Sequence, residues 1–132
     1  AMSGTAFQAT AKEQVAQFGA NLVDAEVTEV APGDQFTVSA ADGSSVQADY
    51  LVLAQGRQAT IAAALGVDTN EDGVVVDDVG RTNIDRVYVA GRSVRPGRSQ
   101  AIISAGDGAK AALDILERIT GGTVQDWDSP PT

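Results

Sequence analysis

The sequence predicts an α/β fold in which a parallel sheet is accompanied by a three-stranded antiparallel meander. Three observations carry this expectation. First, two apolar runs without alternation, Tyr50-Leu51-Val52-Leu53-Ala54 and Val87-Tyr88-Val89-Ala90, have the pattern of strands covered on both faces, and each is followed by a glycine and an arginine, Gly56-Arg57 and Gly91-Arg92. Second, from Glu26 to Ala48 the apolar period shifts toward two, interrupted by the turn signals Pro32-Gly33-Asp34 and Asp42-Gly43. Third, both ends of this region carry apolar residues at helical spacing. A glycine at a strand end lets a ligand approach the backbone, and the carboxyl ends of parallel strands are where open α/β sheets bind nucleotides.

In chain order, Thr5 with Gln8 has capping-box spacing, and Phe7, Ala11, Val15, Phe18 and Leu22 predict a helix from Thr5 to Phe18, stopped by Gly19. A short strand is expected at Asn21 to Asp24. The meander strands are Val27 to Val30, Phe36 to Ala40 and Ser45 to Ala48, and the first parallel strand follows at Tyr50 to Ala54. Ala59 to Leu65 reads as a short helix, Asp68 to Gly73 as a loop, and Val74 to Val76 as a strand ahead of the second parallel strand at Val87. A closing helix is expected from Gln100 to Ile119, with Ile102, Gly106, Ala109, Leu113 and Leu116 on one stripe and Gly121-Gly122 ending it. Residues 123–132 read as an extended tail in which Trp127 docks as an anchor.

The 132 residues predict a single domain, 1–132, whose core is Val, Ile, Leu and Ala, because glycine is frequent at 14 residues and aromatics are only 5%. Net charge is −9, from 18 acidic and 9 basic residues, with only two lysines, Lys12 and Lys110. So acidic a surface repels nucleic acid and anionic membranes. Neither cysteine nor histidine occurs, which removes dithiols, thiol nucleophiles, imidazole bases and the usual zinc ligands, so redox chemistry would need a borrowed cofactor. No apolar run approaches the roughly 20 residues of a membrane span and no signal peptide opens the chain, so a cytoplasmic protein is expected. Ala1-Met2 ahead of Ser3 has the look of a cloning remnant, from which we expect the natural chain to be longer.

Taken together, Ala-Asp-Tyr-Leu-Val-Leu-Ala-Gln-Gly at 48–56, Asp-Gly-Val-Val-Val-Asp at 72–77, Val-Tyr-Val-Ala-Gly at 87–91 and Ser-Gln-Ala-Ile-Ile-Ser-Ala-Gly-Asp-Gly-Ala-Lys-Ala-Ala at 99–112 resemble the FAD domain of the thioredoxin reductase-like flavoproteins. The resemblance runs over nearly all of Ser3 to Thr120, is most specific from Arg81 to Leu113, and is nearest to compact haloarchaeal-type members. It implies an FAD-domain-like, Rossmann-type sheet and an FAD-dependent oxidoreductase, with FAD supplying the chemistry. It further implies that Gly56 lies beside the passing flavin nucleotide and that Gly91 ends the second flavin-contacting strand. Gln100 and Ala101 would open the helix whose backbone amides face the flavin's pyrimidine oxygen.

The sequence departs from that family in three respects. No G-x-G-x-x-G fingerprint is present to hold a pyrophosphate. The acidic residue expected after Ala-Gly, which binds the ribityl hydroxyls, is Arg92. No Cys-x-x-Cys or NADPH domain accompanies the FAD domain, so dithiol activity is excluded. Without the fingerprint's βαβ unit the domain is expected to be incomplete at its N-terminus, leaving strand edges to be closed by a homo-oligomer, a strand-exchanged dimer or further chain.

Several features carry two readings. Arg92, Arg95 and Arg98, with Arg57 at the neighbouring strand end, are either an anion clamp or arginines paired with surface carboxylates. Asp68-x-Asn70-x-Asp72-Gly73 matches half of a calcium loop, but Val79 stands where a bidentate Glu is needed, which favours an Asx turn and no metal site. Gly106 and Gly108 mark either close approach of a ligand or tight helix packing. Asp77, Asp78 and Asp107 are expected to be solvated, and no side chain presents itself as catalytic. The cofactor-binding candidates are Gly56, Gly91, Arg92, Gln100 and Ala101. The competing functional reading is a non-catalytic assembly or regulatory module that keeps the flavoprotein fold without its cofactor.

Overall fold

Helix α1, Gly4–Gln17, opens the computed structural model, which describes residues 2–124. Its N-cap is Ser3, whose hydroxyl accepts from the Ala6 amide at 3.2 Å, two residues ahead of the expected Thr5. Ser3 wins because its extended backbone already points the oxygen at the free amides of the first turn. No α1 residue is buried, and Phe18, closing it, is 89% exposed. The strand expected at Asn21 to Asp24 does not form: residues 20–25 have no regular structure and belong to no sheet. A lone extended segment gains no ladder hydrogen bonds to offset its ordering.

The meander forms as expected. Strands β1 (Val27–Ala31), β2 (Phe36–Ala40) and β3 (Ser45–Ala48) pair antiparallel, Val30 opposite Val38 and Val38 opposite Val46. Strand β4 (Leu51–Leu53) leads through helix α2 (Thr60–Ala64) to a hairpin of β5 (Thr69–Asn70) and β6 (Gly73–Val74). Of the stretch expected as a loop, Thr69, Asn70 and Gly73 are strand residues and only Glu71 and Asp72 form the turn, where the Asn70 side chain accepts from the Asp72 amide at 2.8 Å. Among the described residues no acidic cluster is arranged to hold a metal ion. Val75 and Val76, expected in this strand, follow its end at Val74, although the Val75 amide still bonds the Asp68 carbonyl at 2.9 Å.

Strand β7 (Val87–Val89) pairs parallel with β4, Leu51 beside Val87 and Leu53 beside Val89. All three β7 residues are buried, as the unalternating run predicts. The other side of β7 is occupied by the turn at 77–82, through the Val89 amide to the Gly80 carbonyl and the Thr82 amide to the Val87 carbonyl, both 3.0 Å. The free edge of β4 has no strand beside it among the described residues. Phe36, Leu51, Ala62, Val67, Val74, Val87 and Val89 form one core that joins the meander to the parallel pair.

Helix α3 (Ala101–Thr120) ends at Gly121. Its packing inverts the expectation: Asp107, Ala111 and Asp114 are buried, whereas Ile102, Leu113 and Leu116 are 77%, 38% and 43% exposed. A Cβ at Gly106 or Gly108 would meet nothing within 4 Å, so tight helix packing does not explain either glycine. The tail beyond Val124, with the expected docking of Trp127, lies outside the described residues.

Candidate functional site

The parallel register carries the two glycine turns to the same end of the sheet. The Ala90 amide still bonds the Leu53 carbonyl at 3.0 Å, after which Gly56 and Gly91 turn the chains away with φ of 72° and 85°. Those angles lie in the left-handed region, where a side chain is disfavoured. The position of Gly56 is open, since a Cβ there would meet nothing within 4 Å. At Gly91 a Cβ would lie 3.6 Å from that of Ser104, so the start of α3 packs against this turn.

Gln55 holds the first turn. Its side-chain oxygen accepts from the amides of Ile61 and Ala62 at 3.1 and 3.3 Å and so caps α2. The signal for this cap in the sequence is a polar acceptor shortly before a short helix lacking any other cap.

The second turn is held by Asp107, which is buried where solvation was expected. One of its oxygens accepts from the Gly91 amide at 3.2 Å and also from the Arg95 guanidinium, while the Lys110 ammonium lies 3.7 Å from the other. A carboxylate is buried here because two cations and a backbone N–H replace its water. Beside it is a cavity of about 20 Å³ lined by Val89, Val94, Arg95 and Asp107, room for one water and not for a nucleotide. The neighbouring Ser93 hydroxyl is 97% shielded (its residue is 3% exposed) and has no partner among the described residues.

The four arginines thus divide. Arg95 belongs to Asp107, whereas Arg57, Arg92 and Arg98 are exposed and pair with no carboxylate among the described residues. Arg98 and Arg95 border an open depression of about 380 Å³ together with Asp72 and Gly97. The N-cap of α3 is Gln100, extended at φ −120° and ψ 153°, and its side chain makes no capping bond. The first-turn amides, beginning at Ala101, therefore lack a side-chain acceptor, and these amides together with the helix dipole favour a partially negative oxygen.

A second polar cluster on α3 faces the other end of β7. Arg81 grips Asp114 with two bonds of 2.7 and 2.8 Å, the buried Tyr88 hydroxyl donates to the same carboxylate, and Arg118 reaches both Tyr88 and Asp85. The Arg81 guanidinium holds Asp114 below the ordinary carboxylate range, and burial with the adjacent Asp114 pushes the Tyr88 phenol up. This cluster is internally satisfied and fastens the helix.

Comparison with known proteins agrees with this architecture. The family model described as pyridine nucleotide-disulphide oxidoreductase matches residues 2–108. No curated protein matches the chain in sequence. Among solved structures, a thioredoxin reductase from Gloeobacter violaceus superposes with a TM-score of 0.83 at 16% identity, over 97% of this chain and 81% of that one. A ferredoxin-flavin thioredoxin reductase from Clostridium acetobutylicum superposes with a TM-score of 0.74 at 14% identity, over 91% of this chain and 80% of the other. Identities this low speak for the fold. With the family model covering most of its length, the chain belongs to the pyridine nucleotide-disulphide oxidoreductase family.

Proposed function

We infer that the chain forms one flavin-binding domain, residues 1–132, of an FAD-dependent cytoplasmic oxidoreductase without dithiol activity, or of the C-terminal portion of one, and that it works as a homo-oligomer. The observation that carries this reading is the convergence of Gly56, Gly91 and the uncapped N-terminus of α3 at the carboxyl end of two parallel strands. The residues fit the flavin ring better than the pyrophosphate: Gly56 leaves open space, and the amides from Ala101 onward, preceded by Gln100, suit the partial negative charge of a pyrimidine carbonyl. No G-x-G-x-x-G turn in the sequence supplies a phosphate cradle, and Arg92, exposed and without an ion-pair partner among the described residues, is the group we assign to an anionic part of the cofactor. FAD, when bound, supplies the electron transfer; the protein orients it and stabilises charge, and no catalytic side chain is assigned.

A second reading has an observation of its own. Asp107 occupies the Gly91 amide and Arg95, so part of the donor set is already used within the chain, as in a structural module that has lost its cofactor. Titration with FAD, followed by flavin fluorescence and absorbance, separates the two. Saturable binding that Arg92→Asp weakens supports the flavin domain with Arg92 as a contact. Binding gained by Arg92→Asp marks decay from an ancestral site, and absence of binding in both proteins favours the module.

A further inference from the structure

Most basic side chains of this acidic protein are held by carboxylates, but Lys12, Arg57, Arg92 and Arg98 form no ion pair among the described residues. All of these are exposed, and the three arginines leave the same end of the sheet. Arg57 follows Gly56 beyond β4, Arg92 follows Gly91 beyond β7, and the loop that begins at Arg92 reaches Arg98 just ahead of α3. Because β4 and β7 are adjacent and parallel, with Leu53 beside Val89, Arg57 and Arg92 emerge from strands about 4.8 Å apart. Arg98 borders the open depression of about 380 Å³, and Asp72, which borders it too, lies outside ion-pair distance of Arg98. A Cβ at Gly56 or Gly97 would meet nothing within 4 Å, so the backbone beside Arg57 and Arg98 is open to a ligand.

We propose that Arg57, Arg92 and Arg98 grip a diphosphate ester at this end of the sheet, in place of the glycine-rich phosphate turn that the sequence lacks. The inference rests on the flavin reading above for its first source of diphosphate, FAD itself; a free nucleoside diphosphate presents the same chemistry. Guanidinium forks match phosphate oxygens two at a time, and each bond is assisted by charge. Three such forks carry more charge than one phosphate neutralises, whereas two linked phosphates offer oxygens to both strand ends and to the loop. Arg95, on the same loop, takes no part because Asp107 holds it. Charge also sets the size of the ligand. At net −9 the molecule repels an acidic protein or a nucleic acid over its whole surface. A small anion within a Debye length of the three arginines, about 8 Å, feels chiefly them.

Calorimetric titration of the intact chain with ADP, AMP and FAD tests the grip without relying on flavin optics. ADP is expected to bind about tenfold more tightly than AMP, and Arg57→Gln, Arg92→Gln and Arg98→Gln should each weaken ADP about five- to tenfold. Lys12→Gln removes the same charge from α1 and should leave ADP affinity within about twofold of the unaltered chain. The three arginines are exposed, so unchanged urea midpoints separate lost contacts from a lost fold. FAD that binds more tightly than ADP, and is weakened by the same three substitutions, identifies the cofactor as the source. ADP held by the arginines with no change in flavin fluorescence when FAD is added keeps the grip and removes the flavin reading. FAD binding that is indifferent to all three substitutions keeps the flavin reading and overturns the grip. Failure of the unaltered chain to bind ADP also overturns it. So does a loss in Lys12→Gln equal to that in the arginine variants, which makes the effect one of net charge alone.

Discussion

Gly73 occupies a position that no other residue fits. Its φ is 125°, and a Cβ there would fall 2.6 Å from the Ser93 carbonyl oxygen and 2.9 Å from both the Val94 carbonyl oxygen and the Pro96 ring. The loop leaving β7 lies against the β5–β6 hairpin here, joined by the Val74 amide to the Ser93 carbonyl at 2.9 Å. Gly73→Ala is therefore expected to cost about 2–4 kcal/mol of stability through backbone strain and overpacking, read as a lower urea midpoint at unchanged slope. Gly106→Ala should move the midpoint the other way by about 0.5–1 kcal/mol, since it sits in an open helical position where alanine has less entropy to lose. Equal midpoints for the two variants would contradict the contact at Gly73. At this scale the sequence announced Gly56 and Gly91 correctly as turns at strand ends, because a glycine after an unalternating apolar run is a local signal. It concealed Asp107 and Gly73, whose environments come from residues 12 to 23 positions away: Arg95 and the Gly91 amide for one, and the Ser93 to Pro96 loop for the other.

Helix α3 shows the same limit for a whole element. Its length and ends were readable from Gln100 and Gly121, but its apolar stripe pointed to the wrong inner face. Periodicity reports which residues prefer to leave water; it does not report that Asp114 has Arg81 and Tyr88 waiting for it. That cluster makes the helix acid-sensitive. Hydrogen bonding from Arg81, opposed by burial and helped by Tyr88, lowers the Asp114 pKa below its ordinary value of 3.8, and Arg118 does the same to Asp85. A carboxylate with a depressed folded-state pKa stabilises fully above the unfolded value and loses that contribution as pH falls through the folded one. Stability should thus be level with respect to these groups at neutral pH and decline below about pH 4. Asp114→Asn retains the shape and removes the charge. We expect it to cost about 1–3 kcal/mol at pH 7, because hydrogen bonds to a charged group are lost and Arg81 is left unpaired. The cost should shrink between pH 7 and pH 3, as protonation of Asp114 begins to remove the same contribution from the unaltered protein. Urea midpoints measured at both pH values give the comparison, and a cost independent of pH would remove Asp114 from the acid transition.

For the whole molecule the question is what makes the meander and the parallel pair one unit. Both were legible as elements, since turn signals and period changes are local, but their union comes from the shared core and from Arg86, neither of which is signalled locally in the sequence. Arg86 adopts φ 64°, the left-handed region, as the one non-glycine among the described residues to do so. From there its guanidinium donates to the carbonyls of Asp34, Asp49 and Gly33 at 2.9, 3.1 and 3.2 Å and lies 4.9 Å over the Phe36 ring, while its own carbonyl accepts from the Leu51 amide at 2.9 Å. One side chain thereby ties the turn between β1 and β2, the entry to β4 and the shared core at Phe36. If the domain is single, amides of β2, β4 and β7 should exchange hydrogen together at the global unfolding free energy, while those of α1, which buries nothing, exchange through local opening. Arg86→Ala should lower the global value by about 1–3 kcal/mol, through its charged hydrogen bonds and the ring contact, and lower it equally in all three strands. Meander amides that exchange well ahead of β7 in the unaltered chain would divide the molecule in two at this residue. If they do so only in Arg86→Ala, the division identifies Arg86 as what holds the two parts in one cooperative fold.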